Sequence, residues 1–326
     1  MISSNSTVFF STPLARHQLT LVKSASYSRK KASDDLERKA NHEWNERLMG
    51  NPHLFNGSKF RLAGWKVKRG TIEYLSDVGI VIPENNSAEV ALNVGFTNYK
   101  ENLTSNLGKW SRELSVYGVE KYGDVQACMA DVIAHAGILI TSDNFALLQL
   151  RSHLVGELPG LWHFIGGHAE PEELGIMSEE ELEKVDSDLI IREIYDSLVR
   201  EVEEEVNITK ELISDPLLLG ICTNKQVFFK PELHFIMFTN LTARAVSKLY
   251  HADDFTDIES VDIGFWNISS LDLKDKHCFD IHKFKNDTAE IVSINVENLT
   301  YSSAMLVHGV QSILKYNPGL LSSQRS

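Results

Sequence analysis

Apolar residues recur along this chain with two periods, and the two alternate. Near the start, Val8-Phe9-Phe10 and Gln18-Leu19-Thr20-Leu21-Val22 read as short strands followed by a basic loop. Over 34–49 the period changes: Leu36, Ala40, Trp44 and Leu48 recur every four residues, and Ser33 or Asp34 can cap the resulting helix. Pro52 and Gly57 mark a loop. Residues 59–82 read as a strand pair, with Phe60, Leu62, Trp65 and Val67 before Gly70 and Ile72, Tyr74, Val78 and Ile80 after it. Residues 88–96 predict another strand, and the mixed polar stretch to Asp124 predicts no element. Residues 132–141 and 145–150 predict a buried pair joined by the turn Ser142-Asp143-Asn144. Leu161-Trp162-His163-Phe164-Ile165 then leads into Gly166-Gly167, expected as a loop, and 168–188 is acidic and loop-like. A long helix follows over 188–206. Strands are expected at 217–223, 226–230, 233–239 and 262–267, and a helix at 302–316. A mixed sheet with few helices, an α/β or α+β layered architecture, fits this order.

Composition narrows the function. The chain has 326 residues, enough for about two domains. Its 45 acidic and 32 basic side chains give a net charge of −13, which argues against nucleic acid or an anionic membrane surface as partner. A phosphorylated small substrate remains compatible, because a divalent metal can reverse the local sign. No apolar run approaches the roughly 18 residues of a membrane span. The three cysteines, Cys128, Cys222 and Cys278, are far apart and form no CxxC pair, which points to a reducing, intracellular and cytoplasmic setting. Residues 1–33 are basic, rich in serine and free of acids, a transit-peptide composition. Their apolar residues nevertheless cluster as strands and not along a helical face, which favours folded structure.

The candidate chemistry lies on the long helix. Ile190, Ile194, Leu198, Val202 and Val206 form its apolar stripe. Off that stripe Glu201 and Glu205 stand one turn apart with Glu204 beside them, and Arg200 offsets only part of their repulsion. A divalent cation would relieve the rest, and magnesium takes hard oxygen ligands of this kind. By itself such a run reads as a solvated acidic face, and a double glycine by itself as a tight turn. In order, a strand, Gly-Gly, an acidic loop and a glutamate-rich helix can surround one diphosphate.

These residues resemble the Nudix box, Gly-x5-Glu-x7-Arg-Glu-U-x-Glu-Glu-x-Gly-U with U apolar. Gly167 and Glu173 match its first half, and Arg200, Glu201, Val202, Glu204, Glu205 and Ile208 its second. The seven-residue spacer is here 26 residues, Leu174 to Val199, and the late glycine is Asn207, a residue that tolerates the left-handed conformation of a helix end. From about residue 7 to 315 the chain further resembles the Nudix branch that hydrolyses UDP-glucose and UDP-galactose. That likeness includes Trp44-Asn45-Glu46-Arg47-Leu48, Leu54-Phe55, Lys59-Phe60-Arg61-Leu62, Gly95-Phe96-Thr97-Asn98-Tyr99-Lys100 and Tyr122-Gly123-Asp124-Val125-Gln126-Ala127. It continues through Pro159-Gly160-Leu161, Gly166-Gly167-His168-Ala169-Glu170-Pro171 and Asp215-Pro216-Leu217-Leu218-Leu219-Gly220-Ile221.

The resemblance implies a Nudix α/β/α sandwich over 126–316, preceded by a smaller β-rich domain over 1–125 that supplies part of the nucleotide pocket, and followed by a tail over 317–326. It implies hydrolysis of a UDP-sugar to UMP and sugar 1-phosphate with Mg2+ or Mn2+. Glu201 and Glu205 are then the metal ligands, Glu204 a third ligand or the base, and Arg200 the residue that orients Glu201. Substrate contacts carried over by position are Phe55, Tyr99, Arg151, Gly156, His163, His168 and Glu170, with His163 standing where relatives can carry aspartate. Phe55 reads equally well as core. Glu232 and Glu259 are later acids that can complete such a site but read more readily as surface or strand-end carboxylates. The rival readings are a Nudix hydrolase of ADP-ribose or a dinucleotide, and a catalytically silent Nudix-fold binding module.

Overall fold

The computed structural model describes residues 7–75, 78–84, 87–155, 157–252, 255, 259–268, 278–285 and 288–318. The first strands are β1 (Thr7–Leu14) and β2 (Leu19–Lys23), followed by helix α1 (Asp34–Gly50). Next come β3 (Ser58–Arg69), β4 (Thr71–Leu75), β5 (Val78–Ile82) and β6 (Glu89–Asn98), then helices α2 (Tyr99–Thr104) and α3 (Ser111–Tyr122). Strands β7 (Ala134–Ile140), β8 (Phe145–Arg151), β9 (Trp162–His163) and β10 (Ile165–His168) lead to helices α4 (Glu179–Lys184) and α5 (Ser187–Val206). The chain continues through β11 (Leu217–Asn224), β12 (Lys230–Phe238), α6 (Ala243–Tyr250), β13 (Ser260–Asn267), β14 (Cys278–Lys285), β15 (Thr288–Asn295) and α7 (Tyr301–Tyr316).

A large mixed sheet runs β15-β14-β13-β8-β7-β12-β11-β1-β5-β4, with β9 on β8 and β10 on β7; a small sheet runs β2-β6-β3. The centre of the large sheet is buried on both faces, so β7 and β12 are buried at every position instead of alternating between buried and exposed. Leu233, Phe235 and Met237 of β12 pack on one side with Ile190, Ile194, Leu198 and Val202 of α5 and Val246 of α6. Ile236 and Phe238 face the other way, with Leu306, Val310 and Ile313 of α7. Helices therefore cover both faces, the α/β/α layering that was expected. The small sheet adds Leu21, Phe60, Trp65, Val90 and Leu92 to the α5 side of the core. Among the described residues no helix is long and apolar enough to cross a membrane.

Local signals act where expected. Ser33 caps α1, its side chain accepting the Leu36 N–H. Asn207 ends α5 at φ 60°, the left-handed conformation its place in the motif calls for. Residues 8–10 lie inside β1, an interior strand between β11 and β5.

Several expectations need correction. Residues 59–82 do not form one strand pair: β3 pairs with β6 in the small sheet, while β4 and β5 form a hairpin that joins β1 in the large one. The chain parts at Gly70, whose φ of 127° an L side chain rarely adopts. The division expected near residue 125 therefore runs across the large sheet, since β1, β4 and β5 belong to it. Residues 226–230 do not form the predicted strand. A short 3-10 turn and two residues with positive φ, Phe228 and Phe229, bring the chain into β12. Gly166-Gly167 is not a loop but the middle of β10, in register with Ala136 and His135 of β7. Helices α2, α3, α4 and α6 arise in stretches where the apolar pattern marked none.

Candidate active site

A cleft of about 1130 Å³ opens between the N-terminal segment and the large sheet. Phe55, Tyr99, Arg151, His163, His168, Glu170 and Glu201 all line it. These seven expected site residues come from six separate parts of the chain, from the α1–β3 loop to α5. Gly156 lies outside the described residues. Arg200, Glu204 and Glu205 are not among the residues lining it: Glu204 is exposed, and Glu205 is buried one helical turn after Glu201 on α5.

Glu201 sits against the backbone of β10. A Cβ on Gly167 would overlap the Glu201 carboxylate, and one on Gly166 would meet the carbonyl oxygen of His135 at 2.6 Å. Both glycines are therefore needed by close approach, not by a turn. Burial, then the charges of Glu259, Glu204 and Glu170, push the Glu201 carboxyl up to about 8, against the pull of Lys59. Gly167→Ala is accordingly expected to displace this carboxylate and lower kcat at least tenfold while the sheet stays folded. Steady-state rates together with a thermal melt check it, and an alanine variant with full activity would show that Glu201 needs no such contact.

Arg200 does not orient Glu201. Its guanidinium grips Glu193, with Nη2 2.6 Å from Oε1 and Nη1 3.1 Å from Oε2. Glu193 is nearly fully buried, and its Oε1 also accepts the Glu170 N–H at 3.1 Å. This fork braces the segment that follows β10. The bidentate geometry suits arginine. Glu193 was missed because it stands seven residues before Arg200, two helical turns away, and spacing along the motif pointed to Glu173 instead. The signal that could have found it is the i, i+7 placement on one helix face.

The N-terminal segment supplies charge as well as aromatic surface. Lys59 of β3 is buried, and its Nζ lies 2.8 Å from Glu170 Oε1. Ser58 donates its N–H to Glu172 Oε1 at 2.8 Å and its hydroxyl to the same oxygen at 3.1 Å, tying β3 to the loop after β10. Phe55 is 67% exposed, so it is not core. Tyr99 is half-buried, its ring 6.3 Å from that of His168 and edge-on to it. Burial, then Glu157 and Glu259, raise the Tyr99 phenol above its ordinary value, so it stays protonated.

Two histidines stand in the wall as neutral rings. Burial, then Arg151, holds His163 well below the usual histidine range, and Arg151 Nη1 lies 3.4 Å from His163 Nδ1. Burial, then Lys230, Lys59, His135 and Arg151, does the same to His168. Glu232 and Glu259, expected as surface or strand-end acids, both line the cleft. Burial alone would raise the Glu232 carboxyl, but the nearby His234 ring, with Ser302 and Lys230, holds it below its ordinary value. Among the described residues no three His, Cys, Asp or Glu side chains stand together as a ready-made metal cage.

No family model matches the chain. Among curated proteins, it is 31% identical to uridine diphosphate glucose pyrophosphatase NUDT22 of Bos taurus over 228 residues, 70% of this chain and 74% of the relative. It is 29% identical to Nudix hydrolase 9 of Arabidopsis thaliana over 246 residues, 73% of this chain and 74% of that one. A solved MutT protein from Methanosarcina mazei Go1 aligns with a TM-score of 0.32 at 15% identity, covering 57% of this chain and 94% of its own, too loosely to add to these likenesses. The interrupted box, the glutamate helix against paired glycines and the bovine relative agree: the chain belongs to the Nudix hydrolases.

Proposed function

We propose that the protein hydrolyses the diphosphate of a UDP-sugar, UDP-glucose or UDP-galactose, to UMP and a sugar 1-phosphate, with Mg2+ or Mn2+ held by Glu201 and Glu205. The observation that carries this reading is one cleft lined both by Phe55 and Tyr99 and by Glu201, with Arg151, Lys59 and Lys230 in the same wall. Aromatic faces suit a base, and cationic side chains suit phosphates. The bovine relative's name, with uridine diphosphate glucose in it, points to the same substrate class.

The residues fit a divalent cation. Glu201 is a hard oxygen donor whose carboxyl is raised first by burial and then by the negative charge of Glu259, Glu204 and Glu170, charge that a cation would offset. The missing Cβ of Gly167 leaves room for that carboxylate. A site with few carboxylates and several waters is the arrangement magnesium favours. Such an ion would neutralise phosphate oxygens and lower the pKa of the attacking water.

The chain's own groups do the rest. Arg200 and Glu193 keep the segment after β10 rigid, so that the diphosphate meets fixed partners. Arg151 and the neutral His168 donate to phosphate oxygens. Water attacks one phosphorus in line, the phosphoanhydride bond breaks, and a carboxylate takes the water's proton. Glu259 is the candidate for that base: it lines the cleft, and its charge acts on Glu201 more than that of any other carboxylate. Glu204 is exposed and would act from outside the wall.

The test is a screen of purified protein with magnesium against UDP-glucose, UDP-galactose, ADP-ribose and NADH, with products separated by chromatography. UMP and sugar 1-phosphate are expected, and excess chelator should stop their release. Preferred turnover of ADP-ribose or NADH would replace the uridine reading, and no turnover with any metal would make the protein a binding module.

A further inference from the structure

The cleft holds a buried ammonium to which neither the motif nor the family likeness assigns a task. Lys230 opens β12, and its side chain is 3% exposed. Its Nζ lies 3.2 Å from Glu157 Oε2, 3.5 Å from Glu157 Oε1 and 3.2 Å from His168 Nε2. An ammonium has three donors and no acceptor, so the Lys230–His168 contact has only one possible direction. Lys230 donates, His168 Nε2 accepts, and the single ring proton of the neutral imidazole must sit on Nδ1.

The surroundings keep the ring neutral. Lys230 faces it from β12, Lys59 from β3, His135 from β7 and Arg151 from β8, and Tyr99 lies edge-on from α2. All the charged neighbours in that set are cationic, so a second proton on His168 is disfavoured.

Glu157 links the same ammonium to the N-terminal segment. Its Oε1 accepts from Asn102 Nδ2 of α2 at 3.0 Å, and its backbone carbonyl accepts from Arg151 Nε at 2.9 Å. One loop residue therefore connects β12 and α2 through its carboxylate and the strand end that carries Arg151 through its carbonyl. Its carboxylate also balances the Lys230 charge, which would otherwise be buried alone.

We infer that Lys230, held by Glu157, is a positioning residue that locks His168 in the Nδ1–H tautomer, so that His168 meets the substrate diphosphate as a hydrogen-bond donor. The role in turnover rests on the UDP-sugar reading above; the tautomer does not. A histidine free to choose its tautomer would present a lone pair to the phosphate part of the time, and an acceptor facing an anion is repulsive. Lys230 acts through His168, so removing either side chain should have the same consequence.

Two measurements test this on the full chain. In a long-range 1H–15N spectrum of histidine-labelled protein, with His168 assigned by its loss in His168→Gln, the wild type should show the Nδ1–H form. The double variant Lys230→Met/Glu157→Gln, which removes both buried charges together, should lose that single tautomer; Lys230→Arg should retain it. In steady-state assays with UDP-glucose and magnesium, Lys230→Met/Glu157→Gln should raise KM about tenfold with a smaller change in kcat. Adding His168→Gln to it should then cost little more than His168→Gln alone, the signature of two residues acting as one unit. An Nδ1 lone pair on wild-type His168 would overturn the inference whatever the enzyme's substrate, and so would fully additive losses in KM. A wild type that shows the Nδ1–H form but turns over no UDP-sugar would instead remove the functional reading and leave the tautomer assignment standing.

Discussion

Glu201→Gln is expected to lower kcat by roughly a hundredfold to a thousandfold, or about 3–4 kcal/mol of barrier at about 1.4 kcal/mol per tenfold. The amide keeps the shape of the carboxylate and removes its charge, so the packing against Gly167 survives. Stability should hold or rise slightly. Burial and three neighbouring carboxylates already disfavour the Glu201 charge without metal, and removing a disfavoured charge costs the fold nothing. Glu205→Gln should lose activity to a similar extent. Glu203→Gln is the control: its carboxylate accepts the N–H of Lys210, just beyond the end of α5, at 2.9 Å and does not line the cleft, so it should leave kcat unchanged. Rates and melting temperatures on the three variants decide the assignment. Equal damage from Glu203→Gln would mean that the metal-binding face of α5 has been misidentified.

Phe55→Ala should raise KM for a UDP-sugar by about tenfold to a hundredfold, because stacking a base on an aromatic face is worth about 1–3 kcal/mol and each 1.4 kcal/mol is a factor of about ten. The melting temperature should stay within about a degree, since a ring this exposed contributes little to the core. Tyr99→Ala should raise KM as well, but with some loss of stability, since Tyr99 is half-buried and packs edge-on to His168. The metal requirement should not move in either variant. An unchanged KM for Phe55→Ala would take the α1–β3 loop out of the substrate site.

The same contrast between local pattern and assembled neighbourhood runs through the molecule. Helix α5 was legible residue by residue: the apolar stripe from Ile190 to Val206, the carboxylates off it, and Asn207 as its left-handed end. These depend on one helix's own periodicity and termination, which the chain carries locally. Of the seven scattered residues of the cleft wall, Glu201 was legible from its helix and the other six only through family likeness. Nothing in the spacing of Phe55, Arg151 and Glu201 implies that they meet.

What tertiary structure alone decided is which partner each local element found. Alternating apolar residues identify 59–82 as a strand pair parted at Gly70, but a strand's pattern does not say which edge it joins, so the split of β3 and β4 between two sheets was not readable. Gly166-Gly167 carried a turn signal, yet with no side chains the pair could also lie flat against β7 and admit Glu201, and the neighbouring strand and helix made that choice. Arg200 could reach several acids, and the buried position of Glu193 beside the Glu170 N–H selected one. Glu232 and Glu259 look like ordinary strand-end acids until β12 and β13 bring them to the cleft. Periodicity and capping are properties of a few consecutive residues, whereas pairing, bracing and pocket formation depend on energies between segments far apart in the chain, and those energies exist only once the layers have packed.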